Sequence, residues 1–245
     1  MYSRNPCMGL SGAFSVIQEE DRVEWKDGKC RCCWANPKNE RYIRYHDEEW
    51  GRSVHDDRKL FEMLVLECFQ AGLSWECILN KREAFKQAFD EFELETVCGY
   101  GEEKLQELKE NAGIVRNSLK IIAAVTNARI FRKIQAEYGS FDCYLWHWTE
   151  GKVICETGKT NSALSDRISE DLKKRGMKFV GTTVVYAYLQ AVGVVWGQKK
   201  TVFCHCIRER ICRKSNSFIT VSYIFLSCLH FLYVFLLFLK SIDSW

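Results

Sequence analysis

The stretch from Arg58 to Ala71, RKLFEMLVLECFQA, is apolar on nearly every side when wound as a helix. Leu60, Met63, Leu64 and Ala71 lie on one stripe, and Phe61, Val65, Cys68 and Phe69 lie on the adjacent one. A helix without a polar face belongs inside a domain, so the rest of the chain must be able to wrap it. Asp56 or Asp57 can cap its start, and Gly72 marks its end. Ser74 can cap a second helix, WECILNKREAFKQAF, with Trp75, Ile78, Leu79, Arg82, Phe85 and Phe89 on one face. Further helices read from Leu94 to Cys98, Glu102 to Asn111, Ile114 to Tyr138, Ser165 to Lys174 and Thr182 to Val192. Gly113 and Gly139 serve as C-terminal stops, and FDCYLWHW is a short aromatic segment between helices. No alternating strand pattern competes over a comparable length, and 2 prolines in 245 residues favour long helices. The expected class is all-α.

Composition excludes disorder throughout, because 15 Phe, 10 Tyr and 8 Trp are too much apolar surface for an unfolded chain. The net charge of +3 selects no partner by itself. Its distribution is uneven. Lys199, Lys200, Arg208, Arg210, Arg213 and Lys214 face a single acid, Glu209, between Trp196 and Ser215, and Lys173, Lys174, Arg175 and Lys178 form a second basic knot. A basic patch on a near-neutral body is either a nucleic-acid footprint or a solvated helix end. The chain has 13 Cys and no signal peptide at its start, so reduced thiols are expected rather than a disulfide framework. Cys68, Cys77, Cys98 and Cys143 sit among apolar residues and read as core.

The chain divides into a mobile N-terminal tail (1–29), a helical domain (30–206) and a basic, then hydrophobic, C-terminal tail (207–245). Residues 218–239, FITVSYIFLSCLHFLYVFLLFL, contain no charge unless His230 is protonated and are long enough to span a bilayer. The basic run before them would keep the main domain cytoplasmic. Two readings stand for this tail: a membrane anchor, or an alternative or mispredicted end to the chain.

Three constellations can carry chemistry. Glu67 falls on the apolar stripe between Leu64 and Ala71. An unpaired buried carboxylate costs several kcal/mol or takes up a proton, so it needs a compensating partner. That partner is either an Arg or Lys from another helix or a bound ligand. Trp75 is eight residues on, and YIRYHDEEW supplies Tyr42, Tyr45, His46, Glu49 and Trp50. Aromatic walls beside a carboxylate suit a cationic ligand. The second constellation is GMKFVGT, residues 176–182, a turn bounded by Gly176 and Gly181 between a basic helix and one opening at Thr182. Such a turn presents N–H groups to a phosphate, and Lys178 adds charge that holds nucleic-acid backbone. The third is metal: Cys32 or Cys33 with His46, and Cys204, His205 and Cys206 from the far end, offer N/S ligands for a structural zinc.

Taken together, RCCWA (31–35), YIRYHDEEWG (42–51), LFEMLVLECFQAGLSW (60–75), NAGIVRNSLKI (111–121) and KKRGMKFVGTTVVYAYLQAVGVV (173–195) resemble the 3-methyladenine DNA glycosylase I family of the helix-hairpin-helix glycosylase superfamily. The resemblance spans residues 31–195 and implies a helix-hairpin-helix DNA glycosylase fold. It implies hydrolysis of the N-glycosidic bond of 3-methyladenine in double-stranded alkylated DNA, without strand cleavage. By resemblance Glu67 hydrogen-bonds the flipped base, Trp75 stacks on it, and Tyr42 and Tyr45 shape the pocket. Gly176, Lys178, Phe179, Val180, Gly181 and Thr182 make the DNA anchor. It also implies an intracellular protein, in the nucleus or a DNA-containing organelle, and a monomer suffices for one hairpin.

The family pattern continues after QAVGVV with Asn-Asp-His and then a Cys, which join an early Cys and the YHD histidine on zinc. Here the chain reads VVWGQKKTVFCHC. Cys32 (or Cys33) and His46 match, the Asn-Asp-His triplet does not, and Cys204, His205 and Cys206 are differently spaced substitutes. Zinc is expected to bind weakly or not at all. Two rival readings follow: a DNA-binding module impaired in catalysis, and a tail-anchored membrane protein with a repurposed helical domain.

Overall fold

The computed structural model describes Trp25 and residues 27–197, which fall into two units, one ending at Cys32 and one running from Cys33 to Gly197. In the small unit Arg31 pairs with Asp27 at 2.6 Å, and its guanidinium lies 4.5 Å from the Trp25 ring centroid. The large unit is helical, as expected. Among the described residues it carries nine α-helices: α1 (Glu40–Arg44), α2 (Asp57–Gln70), α3 (Trp75–Ala88), α4 (Leu94–Cys98), α5 (Glu102–Glu110), α6 (Ser118–Tyr138), α7 (Phe141–His147), α8 (Ala163–Lys174) and α9 (Thr182–Ala191). Its two strands, β1 (Ile154–Cys155) and β2 (Val195–Trp196), form a single short parallel pairing.

The all-round apolar helix is the axis of the fold. Every α2 residue from Leu60 to Phe69 is buried, and α2 packs against α3, α6, α7 and α9. Each large aliphatic or aromatic side chain so covered contributes about 1.5–3 kcal/mol. Aromatic rings fill the space beside it. Phe131 of α6 stacks on Phe141 of α7 at 3.9 Å, and Phe61 meets Phe131 edge-on at 5.3 Å.

Capping chemistry sets the boundaries. Asp56 caps α2 through the Lys59 N–H, and Ser74 caps α3 through the Cys77 N–H. Asp57 works across helices instead. Its carboxylate accepts from the N–H groups of Phe141 and Asp142, each at 2.8 Å, and from the Gln135 side chain at 2.7 Å. It thereby satisfies the free donors at the start of α7 and ties that helix to α2. The helix expected from Ile114 begins later, at Ser118, because Asn117 accepts from the Lys120 N–H and ends the preceding turn. The aromatic segment FDCYLWHW forms α7 over Phe141–His147, capped by Ser140. Cys68 and Cys98 are core residues as expected, whereas Cys77 is half-buried and Cys143 exposed, since α3 and α7 turn those positions outward.

Gly193 is a position that only glycine fills. It has φ +75°, and a Cβ there would meet the Arg52 carbonyl carbon at 2.4 Å. This close approach seats the chain after α9 against residues 51–54, where Val54 N–H donates to Val192 O.

Among the described residues no helix is long and apolar enough to cross a membrane. Residues 218–239, the segment read as an anchor, lie outside the described residues, as do the basic run 199–214 and most of the N-terminal tail.

The three bonds of Asp57 make it a point where two helices depend on one side chain. Asp57→Ala is expected to lower unfolding free energy by about 2 kcal/mol, the usual cost of removing a carboxylate from helix N-terminal donors, measured by urea denaturation beside Asp56→Ala as a simple cap loss.

Candidate active site

Four residues named from sequence converge at one end of α2. Glu67 is 4% exposed, and no hydrogen bond or ion pair reaches its carboxyl among the described residues. The expected alternative, a cation from another helix, is not realised. Arg82 of α3 is held by Glu62 at 2.7 Å and by Glu49 at 2.9 Å, and Lys120 of α6 donates to the carbonyls of Phe69 at 2.8 Å and Ala71 at 2.5 Å. With its neighbours' charges already engaged, the Glu67 carboxyl is pushed by burial alone up to about 8. Without a cationic partner it is mostly protonated at neutral pH.

Tyr42 and Tyr45 come from the segment before α2. Asn39 caps α1 by accepting from the N–H groups of Arg41 and Tyr42. The helix then loosens into a π-helical turn, Tyr45–Glu49, closed by the Trp50 N–H to Tyr45 O bond at 2.9 Å. The wider turn buries two consecutive side chains, Tyr45 and His46. Burial raises the Tyr42 phenol to about 12 and the Tyr45 phenol well above its usual value, and the Glu67 charge contributes to both. Both phenols are therefore neutral donors at working pH. Tyr45 meets Trp75, the first residue of α3, at 5.2 Å between ring centroids. The Trp75 indole N–H is buried without a hydrogen-bond partner.

Sequence reasoning missed some of the supports. Trp34 lies 5.4 Å from the Tyr42 ring, 5.0 Å from the His46 ring and 5.0 Å from the Trp50 ring, and forms the outer layer of the aromatic group. Glu76, directly after Trp75, accepts from Asn36 at 2.7 Å and from Asn39 at 2.8 Å, so the cap that places Tyr42 is also tied to α3. Neither Asn36, Asn39 nor Glu76 stands out in a linear reading, because their significance is a contact across some forty positions.

The hairpin forms as expected. The Gly176 N–H bonds Lys173 O and the Met177 N–H bonds Leu172 O, each at 2.9 Å, while Gly176 takes φ +102°. This is a Schellman stop, with Met177 and Leu172 both buried. Val180 also points inward, and Lys178 is exposed. Phe179 has φ +57°, an uncommon conformation for an aromatic residue. Gly181 precedes α9 without any side-chain cap, which leaves the first N–H groups of α9 free for an anion. Thr182 is fixed by its hydroxyl, which donates to Asp166 at 2.5 Å.

The basic knot before the hairpin is only partly available. Arg175 pairs with Glu137 at 2.5 Å and Asp171 at 2.7 Å, and Lys174 pairs with Glu170 at 3.0 Å. Lys173 and Lys178 carry no ion pair among the described residues and point to solvent. Of the four cations in this run, Lys174 and Arg175 are paired within the protein, and Lys173 and Lys178 are solvated.

His46 is fully buried, with Nδ1 2.9 Å from the Asp47 carboxylate, and stacks on Trp50 at 6.3 Å. Among the described residues no group of three or more His, Cys, Asp or Glu side chains is placed to hold a metal ion. Cys204, His205 and Cys206 lie outside the described residues.

A mostly helical unit with a hairpin between α8 and α9 is the architecture of the helix-hairpin-helix DNA glycosylases, and the chain matches their solved structures. Residues 34–206 match the methyladenine glycosylase family, and the chain belongs to it. It is similar to DNA-3-methyladenine glycosylase 1 of Escherichia coli (strain K12), 40% identical over 183 residues that cover 72% of this chain and 96% of the relative. It is also similar to the DNA-3-methyladenine glycosylase of Haemophilus influenzae, 34% identical over 171 residues covering 67% and 92%. A crystal structure of 3-methyladenine DNA glycosylase I superposes with TM-score 0.69 at 39% identity, covering 71% of this chain and 99% of that one. A structure addressing 3-methyladenine recognition by the Staphylococcus aureus glycosylase superposes with TM-score 0.67 at 34% identity, covering 69% and 93%.

The raised Glu67 carboxyl makes a signed prediction. Below its unfolded value near 4.5 the group is protonated in both states and costs nothing. Stability then falls as pH rises from there to about 8, because only the folded state keeps the proton, and the loss is constant above. Glu67→Gln should match the parent at pH 4 and exceed it at pH 9 by an amount on the order of 4–5 kcal/mol, read from urea unfolding at the two pH values.

Proposed function

We propose that this protein is a monofunctional DNA glycosylase of base-excision repair that hydrolyses the N-glycosidic bond of 3-methyladenine in alkylated double-stranded DNA. The observation that carries the reading is the buried, unpaired Glu67 carboxyl among Tyr42, Tyr45 and Trp75, in a chain of the methyladenine glycosylase family.

The chemistry follows from charge. The base must leave the duplex before its bond is reachable, and a damaged base unstacks at lower cost. While attached to the sugar, 3-methyladenine is cationic and already a good leaving group. Its approach pulls the Glu67 carboxyl down from about 8, and the resulting carboxylate faces the positive ring in a water-poor setting where the attraction is strong. A neutral adenine brings no charge to offset ionising that carboxyl, so the site discriminates by electrostatics. Trp75 supplies a face for stacking, and the neutral phenols of Tyr42 and Tyr45 close the walls. Glu67 acts here as a base-binding and charge-stabilising group, not as general base for the attacking water.

The hairpin from Gly176 to Thr182 holds the DNA backbone. The uncapped N–H groups of α9 and the free ammonium of Lys178 bind phosphate without reading sequence. One chain carries both anchor and pocket, so a monomer is sufficient. Zinc, if bound, would take Cys32 and His46 with ligands from Cys204, His205 and Cys206. Such a zinc would serve stability rather than pocket chemistry.

Two measurements test this reading. Purified protein should release free 3-methyladenine from methylated DNA, and Glu67→Gln should reduce kcat/KM by about 100-fold or more, followed by chromatography of released bases. A folded parent that releases none would overturn the assignment. Metal analysis of the purified chain should find well under one zinc per molecule. One tightly held zinc, lost in His46→Ala, would reverse that part.

A further inference from the structure

A buried side chain of α6 makes a polar contact with the hairpin. Asn127 is 2% exposed on an otherwise apolar face that includes Ala124, Ala128 and Phe131. Its side-chain amide meets both backbone groups of one hairpin residue. Lys178 N–H donates to Asn127 Oδ1 at 2.8 Å, and Asn127 Nδ2 donates to Lys178 O at 2.9 Å. The same Nδ2 lies 3.8 Å from Cys68 Sγ, and Cys68 Sγ is 3.9 Å from Lys178 O.

Cys68 is the residue after Glu67. Successive residues of α2 thus serve the two halves of the site: Glu67 belongs to the base pocket and Cys68 touches the hairpin. Two turns before Asn127 on α6, Lys120 donates to the carbonyls of Phe69 and Ala71, at the end of α2 and in the turn that leads to Trp75. The polar groups on this buried side of α6 therefore bind functional turns rather than each other.

The contact also explains a conformation the hairpin would not hold by itself. Phe179, next to Lys178, sits at φ +57°. Such a backbone persists for a bulky residue only where its surroundings over-determine it. Asn127 holds the residue on one side, and on the other the Ser169 hydroxyl donates to Val180 O at 2.6 Å. Removing the amide frees the tip to relax and turns Lys178 and the start of α9 away from their present line.

We infer that Asn127 is a positioning residue: through both backbone groups of Lys178 it fixes the DNA-anchoring hairpin relative to the base pocket on α2, without touching DNA or base itself. The inference rests on the hairpin being the DNA anchor.

The test uses the full chain and two probes that need no chemistry: a duplex with a stable abasic-site analogue, followed by fluorescence anisotropy, and free 3-methyladenine, followed by tryptophan quenching. Asn127→Ala and Asn127→Asp are compared with the parent. The Asp variant keeps the acceptor for Lys178 N–H and sets an oxygen against Lys178 O. Both variants are expected to bind the duplex about tenfold or more weakly while binding the free base within about twofold of the parent. In excision the loss falls on KM for DNA and not on kcat. Proportional loss of both affinities, unchanged duplex affinity, or failure of both variants to fold overturns the inference in favour of a packing role. Lys178→Glu separates the two readings. If it leaves duplex affinity unchanged, the anchor assignment fails and the inference falls with it. If it weakens duplex binding while the Asn127 variants do not, only the positioning role fails.

Discussion

Burying one carboxyl without a cation is the constraint around which the large unit is arranged. Glu67 projects from a helix that has no solvent face, so the helices packed on α2 decide its environment. Two of the cations on those helices are engaged elsewhere: Arg82 by Glu62 and Glu49, Lys120 by the carbonyls at the end of α2. Arg82 within reach of Glu67 would lower its carboxyl and remove the incentive to bind a cationic base. The ion pairs beside the pocket thus keep cations away from Glu67 as well as stabilise the packing. This agrees with the general pattern that buried titratable groups pushed far from their ordinary range mark functional sites.

The π-helical turn from Tyr45 to Glu49 and the Asn39–Glu76 contact solve a second problem. Flat aromatic walls must stand at defined angles to the carboxyl, and they come from separate elements. Asn39 orders the first helical turn carrying Tyr42 and binds the residue after Trp75. The walls are linked by hydrogen bonds behind them as well as by packing. The hairpin is secured in the same manner, with a glycine stop at Gly176 and side-chain amide and hydroxyl contacts from α6 and α8.

Much of this was legible along the chain. The caps at Asp56 and Ser74, the glycine stop at Gly176 and the all-round apolar helix follow from local rules that need only a few neighbouring residues. Glu67 was conspicuous because a charge on an apolar stripe violates the pattern. Lys120 and Asn127 break the apolar face of α6 by the same criterion, seven positions apart, and the same reasoning extended to α6 finds them. The start of α6 was misplaced because Ile114 and Val115 extend the apolar pattern back from the helix, while Asn117 offers its side chain to the Lys120 N–H and begins the helix later. The basic knot left two readings open, a nucleic-acid footprint or a solvated helix end, because a charge run alone does not show what its members face. Glu137 reaches Arg175 only after α6 and α8 pack, whereas Asp171–Arg175 and Glu170–Lys174 are i,i+4 pairs along one helix.

The amino-acid sequence by itself determined the helical class, the central buried helix, the glycine-stopped turn at Gly176 and the misplaced carboxyl on the central helix, because periodicity, caps and a charge on an apolar stripe are properties of short segments. Tertiary structure alone decided that Glu67 lacks a cation and that Asn127 bonds both backbone groups of Lys178. Each of those depends on which side chains from distant segments arrive first at a given polar atom, and that competition has no trace in local pattern.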